Sequence, residues 1–211
     1  MPPFARRFPT TLDRVDIRIT GDVRQPMTLG PDLADVSRSQ NVSDFHCVTT
    51  WSVRGLRWEG IRFCDLFDDI LVPQAGAPPD ADLIVFRGQD GYRAALPLAD
   101  LRAPDVLLAD RLDGQPLSVA HGAPIRLVAP AHYGYKSVKH LREIRVVADG
   151  SGYREIGPGF LTHPRGRVAL EERSRSVRPR LLRWLYRPMI PWVAARFGRS
   201  LREWEAGRKA S

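Results

Sequence analysis

Cysteine is scarce in this chain: 211 residues contain two, Cys47 and Cys64. Two thiols cannot form a disulfide framework, and a bridge between them would take Cys47 out of use as a ligand. There is no C-x-x-C, no H-x-x-x-H and no cluster of Asp, Glu and His, so the protein alone offers no complete metal cage. No run of 18 or more uncharged apolar residues is present, so no segment is long and apolar enough to span a bilayer by itself. Arg6-Arg7-Phe8 has the start of a twin-arginine signal, but Pro9-Thr10-Thr11-Leu12-Asp13 follows where an apolar stretch is needed. A cytoplasmic protein, or one peripheral to a membrane, is expected. Internal repeats are absent too. Acidic residues are scarce at one end only: residues 1–150 hold 18 basic and 19 acidic side chains, whereas residues 151–211 hold 14 basic and 5 acidic. The whole +8 excess therefore lies in the tail.

What is present is enough chain for one domain with a sizeable core, and a pattern rich in strands. Val15-Asp16-Ile17-Arg18-Ile19 alternates apolar and polar residues, the period of a half-buried strand, and Gly21-Asp22 turns after it. Residues 82–87 and 92–96 flank Gly88-Gln89-Asp90-Gly91 and predict a hairpin. Two further strands are expected at 125–129 and 143–147. Phe63, Leu66, Phe67, Ile70 and Leu71 recur at helical spacing and predict a small amphipathic helix over 61–71. Ser137 to Leu141 reads as another helical turn, and Pro73 to Pro79 as a surface loop. These elements give an α+β domain over residues 1–156, with strands paired non-sequentially. A basic Arg/Trp-rich extension, 157–211, follows; Pro188 and Pro191 divide it into two short amphipathic pieces, at 180–187 and 192–206.

Cys47 lies in Asp44-Phe45-His46-Cys47-Val48-Thr49-Thr50-Trp51-Ser52, after a polar stretch. A thiolate is a soft ligand, and one thiolate cannot hold a metal alone, so further soft donors have to come from a cofactor. A buried, inert thiol is the bland alternative for Cys47, as it is for Cys64 on the apolar face of the 61–71 helix. His46 is adjacent to Cys47, but neighbours on an extended segment point to opposite faces, which disfavours direct activation of the thiol. Arg126 among apolar neighbours, and Lys136 and Lys139, read in isolation as solvated cations. As a group they offer positive charge for a phosphate, supplemented by backbone N–H groups near Ser137.

His46-Cys47-Val48-x-x-Trp51-Ser52, Asp90-Gly91-Tyr92, Leu107-Leu108-Ala109, Gly114-x-Pro116-Leu117, His121-Gly122-x-Pro124-x-Arg126 and Gly134-x-Lys136-x-x-Lys139 occur in an order that resembles the sulfite-oxidase superfamily of molybdopterin oxidoreductases. The resemblance covers about residues 13–150. It implies a strand-rich, sulfite-oxidase-like molybdopterin-binding fold, with Cys47 as the molybdenum ligand beside a pyranopterin dithiolene. By the same resemblance His46, His121, Arg126, Tyr135, Lys136, Ser137 and Lys139 contact the pterin, and Trp51 and Asp110 border the substrate.

Departures from the pattern narrow the expected substrate. Sulfite oxidases follow their cysteine with Gly-Asn-Arg-Arg and carry a tyrosine in a Leu-Leu-Ala-Tyr segment. This chain has Val48-Thr49-Thr50-Trp51 and Leu107-Leu108-Ala109-Asp110, and a carboxylate facing the site repels sulfite. The Cys-Val-x-x-Trp-Ser pattern is closer to the bacterial sulfoxide-reductase branch, although His121 stands where that branch has Asn. Two-electron oxygen-atom transfer on a small, sulfoxide-like substrate is therefore expected, with a haem or other redox protein as partner. The alternative is a non-catalytic binding or scaffold protein of the same fold, working through its basic tail. That tail is expected to wrap the domain or to rest on anionic lipid, and nucleic acid is disfavoured because no binding module accompanies the charge.

Overall fold

The computed structural model describes residues 7–30, 33, 36–154, 162–175, 181, 188 and 190–209. The alternation at the start of the domain becomes strand β1 (Ile17–Gly21), with Ile17 and Ile19 fully buried and Arg18 exposed. β2 (Met27–Leu29) runs antiparallel along one side of β1, and β10 (Leu141–Val147) runs parallel along the other. Segments from the two ends of the domain are thereby joined in one ladder. β5 (Leu83–Gly88) and β6 (Arg93–Pro97) form the expected hairpin and complete a five-stranded sheet in the order β2-β1-β10-β5-β6.

A second sheet has the order β3-β4-β7-β8: β3 (Arg38–His46), β4 (Ser52–Arg62), β7 (Leu107–Leu112) and β8 (Gln115–Pro116). β9 (Arg126–Val128) also pairs with β7, joining Ala109 to Arg126. The two sheets and few helices give the α+β, sulfite-oxidase-like architecture that the strand pattern and resemblance imply. The main core lies between the sheets, where Phe63 meets Phe86 edge-on at 5.4 Å and Phe67 at 6.0 Å. A smaller cluster of Trp58, Leu107, Ala109, Leu117, Ala123 and Val128 covers the other face of the second sheet.

The elements differ from the sequence pattern in three places. The helix expected over 61–71 begins later, because β4 continues through Arg62; it comprises α1 (Phe63–Leu66) and a wider π-helical turn, Phe67–Ala75. The surface loop expected over Pro73 to Pro79 is shorter: Pro73 lies inside that turn, Ala75 and Ala77 are buried, and the chain leaves the turn at Gly76, whose φ of 66° suits glycine. Ser137 to Leu141 is not helical. The Val138 carbonyl accepts from Leu127 N, Leu141 N donates to the Ile125 carbonyl, and His140 has a φ of 53°, so the backbone is held sideways to β9.

The long β3–β4 hairpin has no strong signature in the sequence. β3 is an edge strand with much of its length in contact with solvent, so its residues are mixed rather than cleanly alternating. Further helical elements are α2 (Leu98–Leu101), a 3-10 turn at Val119–His121 and a C-terminal α3 (Ile190–Lys209). The piece read at 180–187 falls outside the described residues, apart from Leu181.

β4 and β7 approach so closely that a Cβ on Gly60 would lie 2.0 Å from the Leu108 carbonyl oxygen. Gly60→Ala is expected to cost about 1–3 kcal/mol, measured as a lower midpoint of thermal or urea unfolding. At Gly152 a Cβ would meet no atom within 4 Å, so Gly152→Ala is the control and is expected to match the wild type.

Candidate active site

Cys47 sits where β3 ends, in a tight turn closed by its own N–H donating to the Trp51 carbonyl at 2.9 Å and by Thr50 N donating to its carbonyl at 3.1 Å. Thr50 takes a φ of 83° to make this turn. The thiol is free and half-buried, with Sγ 3.0 Å from Thr49 Oγ1. Cys64 is also free, so no bridge removes Cys47 from use. His46 turns its ring to Ser52, with Nδ1 2.8 Å from Oγ, and does not serve as a base for the thiol in this arrangement. Trp51 is 42% exposed at the outer edge of the turn.

The loop 129–140 meets this turn directly. Gly134 N donates to the His46 carbonyl at 2.8 Å, and a Cβ on Gly134 would lie 2.4 Å from Phe45 Cζ, so only glycine fits between the loop and the end of β3. Behind Phe45 lies Arg126, whose guanidinium carbon is 5.4 Å from the Phe45 ring centre and 5.0 Å from that of Trp58. Arg126 is 3% exposed and donates only to carbonyls: His121 at 2.9 Å, Leu127 at 3.3 Å and Ser137 at 3.3 Å. Burial alone lowers its pKa to about 10.

Lys139 approaches from the same loop, donating to the Ala120 carbonyl at 2.5 Å. Burial, with Arg126 nearby, lowers its pKa to about 7, and Asp90 acts in the opposite direction. Asp90 itself is pushed up, chiefly by burial. His121 stands at the rim, Nδ1 2.8 Å from Ser118 Oγ, and partial desolvation with Lys139 and Arg126 keeps its pKa low. Gly122 leaves room for this packing, since a Cβ there would lie 3.1 Å from both Arg126 Cβ and Lys139 Cγ. His140 is buried with Nδ1 2.6 Å from the Ala123 carbonyl; burial lowers its pKa to about 4 and keeps the ring neutral.

Other candidates carry structural contacts. Ser137 Oγ accepts from Ala129 N at 3.2 Å, and the fully buried Lys136 directs Nζ to the carbonyls of Ala95 at 2.8 Å and Pro164 at 2.5 Å. The Tyr135 hydroxyl bonds His163, and its carbonyl accepts from the Tyr92 hydroxyl at 2.5 Å. The structure thus gathers Cys47, His46, Arg126, His121 and Lys139 around one loop crossing. Asp110 is elsewhere. It shares the Leu108 side of β7 with a cleft of about 670 Å³ that none of the other candidates lines, and it forms a paired contact with Arg38 at 2.6 and 3.1 Å.

Two participants are missing from the candidates drawn from sequence. Asp90 reads as a turn residue in a hairpin, and its burial beside Lys139 arises only when the β5–β6 turn folds against the 139–141 segment. Residues 162–175 read as part of a basic tail, yet they are tied to the loop: Tyr133 N donates to the Gly166 carbonyl at 2.8 Å and Val168 N to the Ala131 carbonyl at 2.9 Å. Arg165 anchors the segment on Asp100, whose pKa stays low because Arg165 and His132 outweigh its burial. Arg173, in the same segment, donates to the Val48 carbonyl at 2.5 Å.

Among the described residues no group of three or more His, Cys, Asp or Glu could hold a metal ion. The family described as oxidoreductase molybdopterin binding domain matches residues 6–153. An uncharacterised oxidoreductase, YuiH of Bacillus subtilis, is 35% identical over 146 residues, covering 69% of this chain and 68% of that protein. Mitochondrial sulfite oxidase of Drosophila melanogaster is 39% identical over 106 residues, 46% of this chain and 18% of the enzyme. The protein-methionine-sulfoxide reductase catalytic subunit MsrP of Xanthomonas campestris is 30% identical over 144 residues, 62% of this chain and 44% of MsrP. The chain thus spans less than half the length of these last two relatives. The crystal structure of the sulfane dehydrogenase SoxCD from Paracoccus pantotrophus shares the fold, with a TM-score of 0.54 at 21% identity over 64% of this chain and 38% of that one. A cysteine turn clasped by a cationic, glycine-cradled loop, in a chain matched over most of its length, makes this protein a member of the molybdopterin-binding oxidoreductase family.

Proposed function

We propose that the chain performs two-electron oxygen-atom transfer on a small substrate carrying a polarised oxygen, a sulfoxide being the best fit, with Cys47 as the protein's ligand to molybdenum. The observation that carries this reading is Arg126, a guanidinium shut away from water between two aromatic faces, with carbonyls but, among the described residues, no carboxylate as partners. A cation buried in this way is costly unless an anionic group completes its environment. Lys139 adds a second donor of the same kind, and Gly122 and Gly134 keep side chains out of the crossing. The residues therefore fit a phosphate-bearing pterin, which would supply the metal's remaining sulfur donors and a centre that cycles two electrons.

Within that site the chain's own groups divide the work. The Cys47 turn presents the sulfur, and the Thr49 hydroxyl, 3.0 Å from it, helps fix its direction. Arg126 and Lys139 hold negative charge behind the turn, and His121 offers its free ring nitrogen at the rim. The likeness to MsrP, with Val48-Thr49-Thr50 where sulfite oxidases have Gly-Asn-Arg, favours a sulfoxide over sulfite. Electrons enter from a separate redox protein, haem-containing or otherwise, to complete each two-electron cycle.

Protein made in a molybdopterin-competent host is expected to contain close to one molybdenum per chain and to reduce methionine sulfoxide with a reduced dye. Cys47→Ser is expected to lower that rate by more than the roughly 10- to 100-fold that loss of an outer hydrogen-bond partner costs. Wild-type protein with molybdenum near zero refutes the proposal.

Lys139 also predicts a pH dependence. Its pKa, lowered to about 7, leaves the ammonium present below neutrality and removes it as pH rises. Sulfate binding by cofactor-free protein, followed calorimetrically, is expected to weaken about tenfold between pH 6 and 8.5, the scale of one charge-assisted hydrogen bond. Lys139→Gln is expected to bind weakly at both pH values, and an unchanged pH profile in this variant would remove Lys139 from the anion site.

A further inference from the structure

Arg173 is 6% exposed, yet among the described residues it has no carboxylate partner. Its Nη1 donates to the Val48 carbonyl at 2.5 Å, its guanidinium carbon lies 4.7 Å from the centre of the Tyr133 ring, and its buried Nε has no hydrogen-bond partner. Two other arginines of the segment are paired with acids: Arg165 with Asp100, and Arg167 with Glu172 at 2.7 Å. Glu172, the acid next to Arg173 in sequence, is fully committed, its pKa held at about 2 chiefly by the Arg167 hydrogen bond. The segment therefore buries one cation and directs its nearest acid elsewhere.

The position of this cation is specific. Val48 follows Cys47, and its carbonyl belongs to the turn that presents the thiol. Tyr133 precedes Gly134, whose N–H clasps His46 just before Cys47. Arg173 thus bridges the two strands of chain that flank the cysteine, while Arg126 and Lys139 lie together on the side of His121 and Gly122. A guanidinium has five donors in a planar fork suited to oxyanions and polarised oxygens, and among the described residues only one of Arg173's is hydrogen-bonded. Its position is also fixed before any ligand arrives, because Tyr133 N and Val168 N pin the segment to the loop. Such preorganised charge is most effective where negative charge develops on oxygen.

From this we infer that Arg173 binds the oxygen of the substrate beside Cys47, an oxyanion or the oxo oxygen of a sulfoxide. This rests on the proposed molybdenum-pterin site and names the substrate contact that site needs. The cofactor's phosphate is a second source of the same chemistry, and the experiment separates the two.

Molybdenum-loaded wild type, Arg173→Gln and Arg173→Lys are compared for molybdenum and pterin content, for sulfate binding by calorimetry, and for kcat and KM with methionine sulfoxide. The expected result is equal cofactor content in all three, with sulfate binding weakened about tenfold or more and KM raised by a similar factor in Arg173→Gln, the scale of a lost hydrogen bond to a charged group. Arg173→Lys is expected to recover part of both, which a merely structural role would not produce. Sulfate binding and KM unchanged in Arg173→Gln overturn the inference, as does a loss of pterin with KM unchanged, which assigns Arg173 to the cofactor. Wild type that carries no molybdenum refutes the proposed function instead; sulfate titration of that protein against Arg173→Gln then still decides whether Arg173 holds an anion, and equal affinities overturn it.

Discussion

Everything around the cysteine depends on burying the Arg126 guanidinium without an acid. Removing a cation from water is tolerable only when its donors are met and its charge is balanced by dipoles or by an anion. Here the donors reach the carbonyls of His121, Leu127 and Ser137, and the faces of Phe45 and Trp58 lie against the cation. Each of those partners comes from a different part of the chain. Phe45 ends β3, Trp58 lies in β4, His121 precedes β9 and Ser137 follows it, so the guanidinium can be satisfied only once the second sheet and the crossing loop are both in place. Supplying a carboxylate would neutralise the charge and remove the pull on a phosphate.

Glycine makes that crossing possible. Gly134 lies against the Phe45 ring and Gly122 against Arg126 and Lys139, so the backbone approaches where a side chain would force it away. The close approach lets the Gly134 amide reach the His46 carbonyl, which ties the cationic loop to the residue before the thiol. The cationic loop and the cysteine turn are coupled mechanically by one hydrogen bond.

The placement of acids serves the same end. Asp100 and Glu172 anchor residues 162–175, and Asp110 on β7 holds Arg38 on β3 across the intervening β4. Among the described residues Arg126 and Arg173 are left without acids, Arg126 against Phe45 and Arg173 on the Val48 carbonyl. The charge excess counted along the chain is thus not simply a solvated tail; part of it returns to the site.

The sequence by itself determined the core strands. Ile17 and Ile19 alternate with polar neighbours, Gly88 to Gly91 separate two apolar runs, and both patterns are local, so they are readable from spacing alone. Cys47, Arg126 and Lys139 were named differently, by a resemblance in the order of motifs, and not by local spacing. Only the tertiary structure decided which polar groups share a space. Asp110 falls on the opposite side of β7 from Arg126 because side chains alternate across a strand, and a one-residue phase in β7 is invisible without its partners. Ser137 to Leu141 fails to coil because β9 captures its backbone hydrogen bonds. Asp90 is brought beside Lys139 from 49 residues away and Arg173 to the Val48 carbonyl from 125 residues away, contacts set by the packing of sheet and loop that no local pattern records.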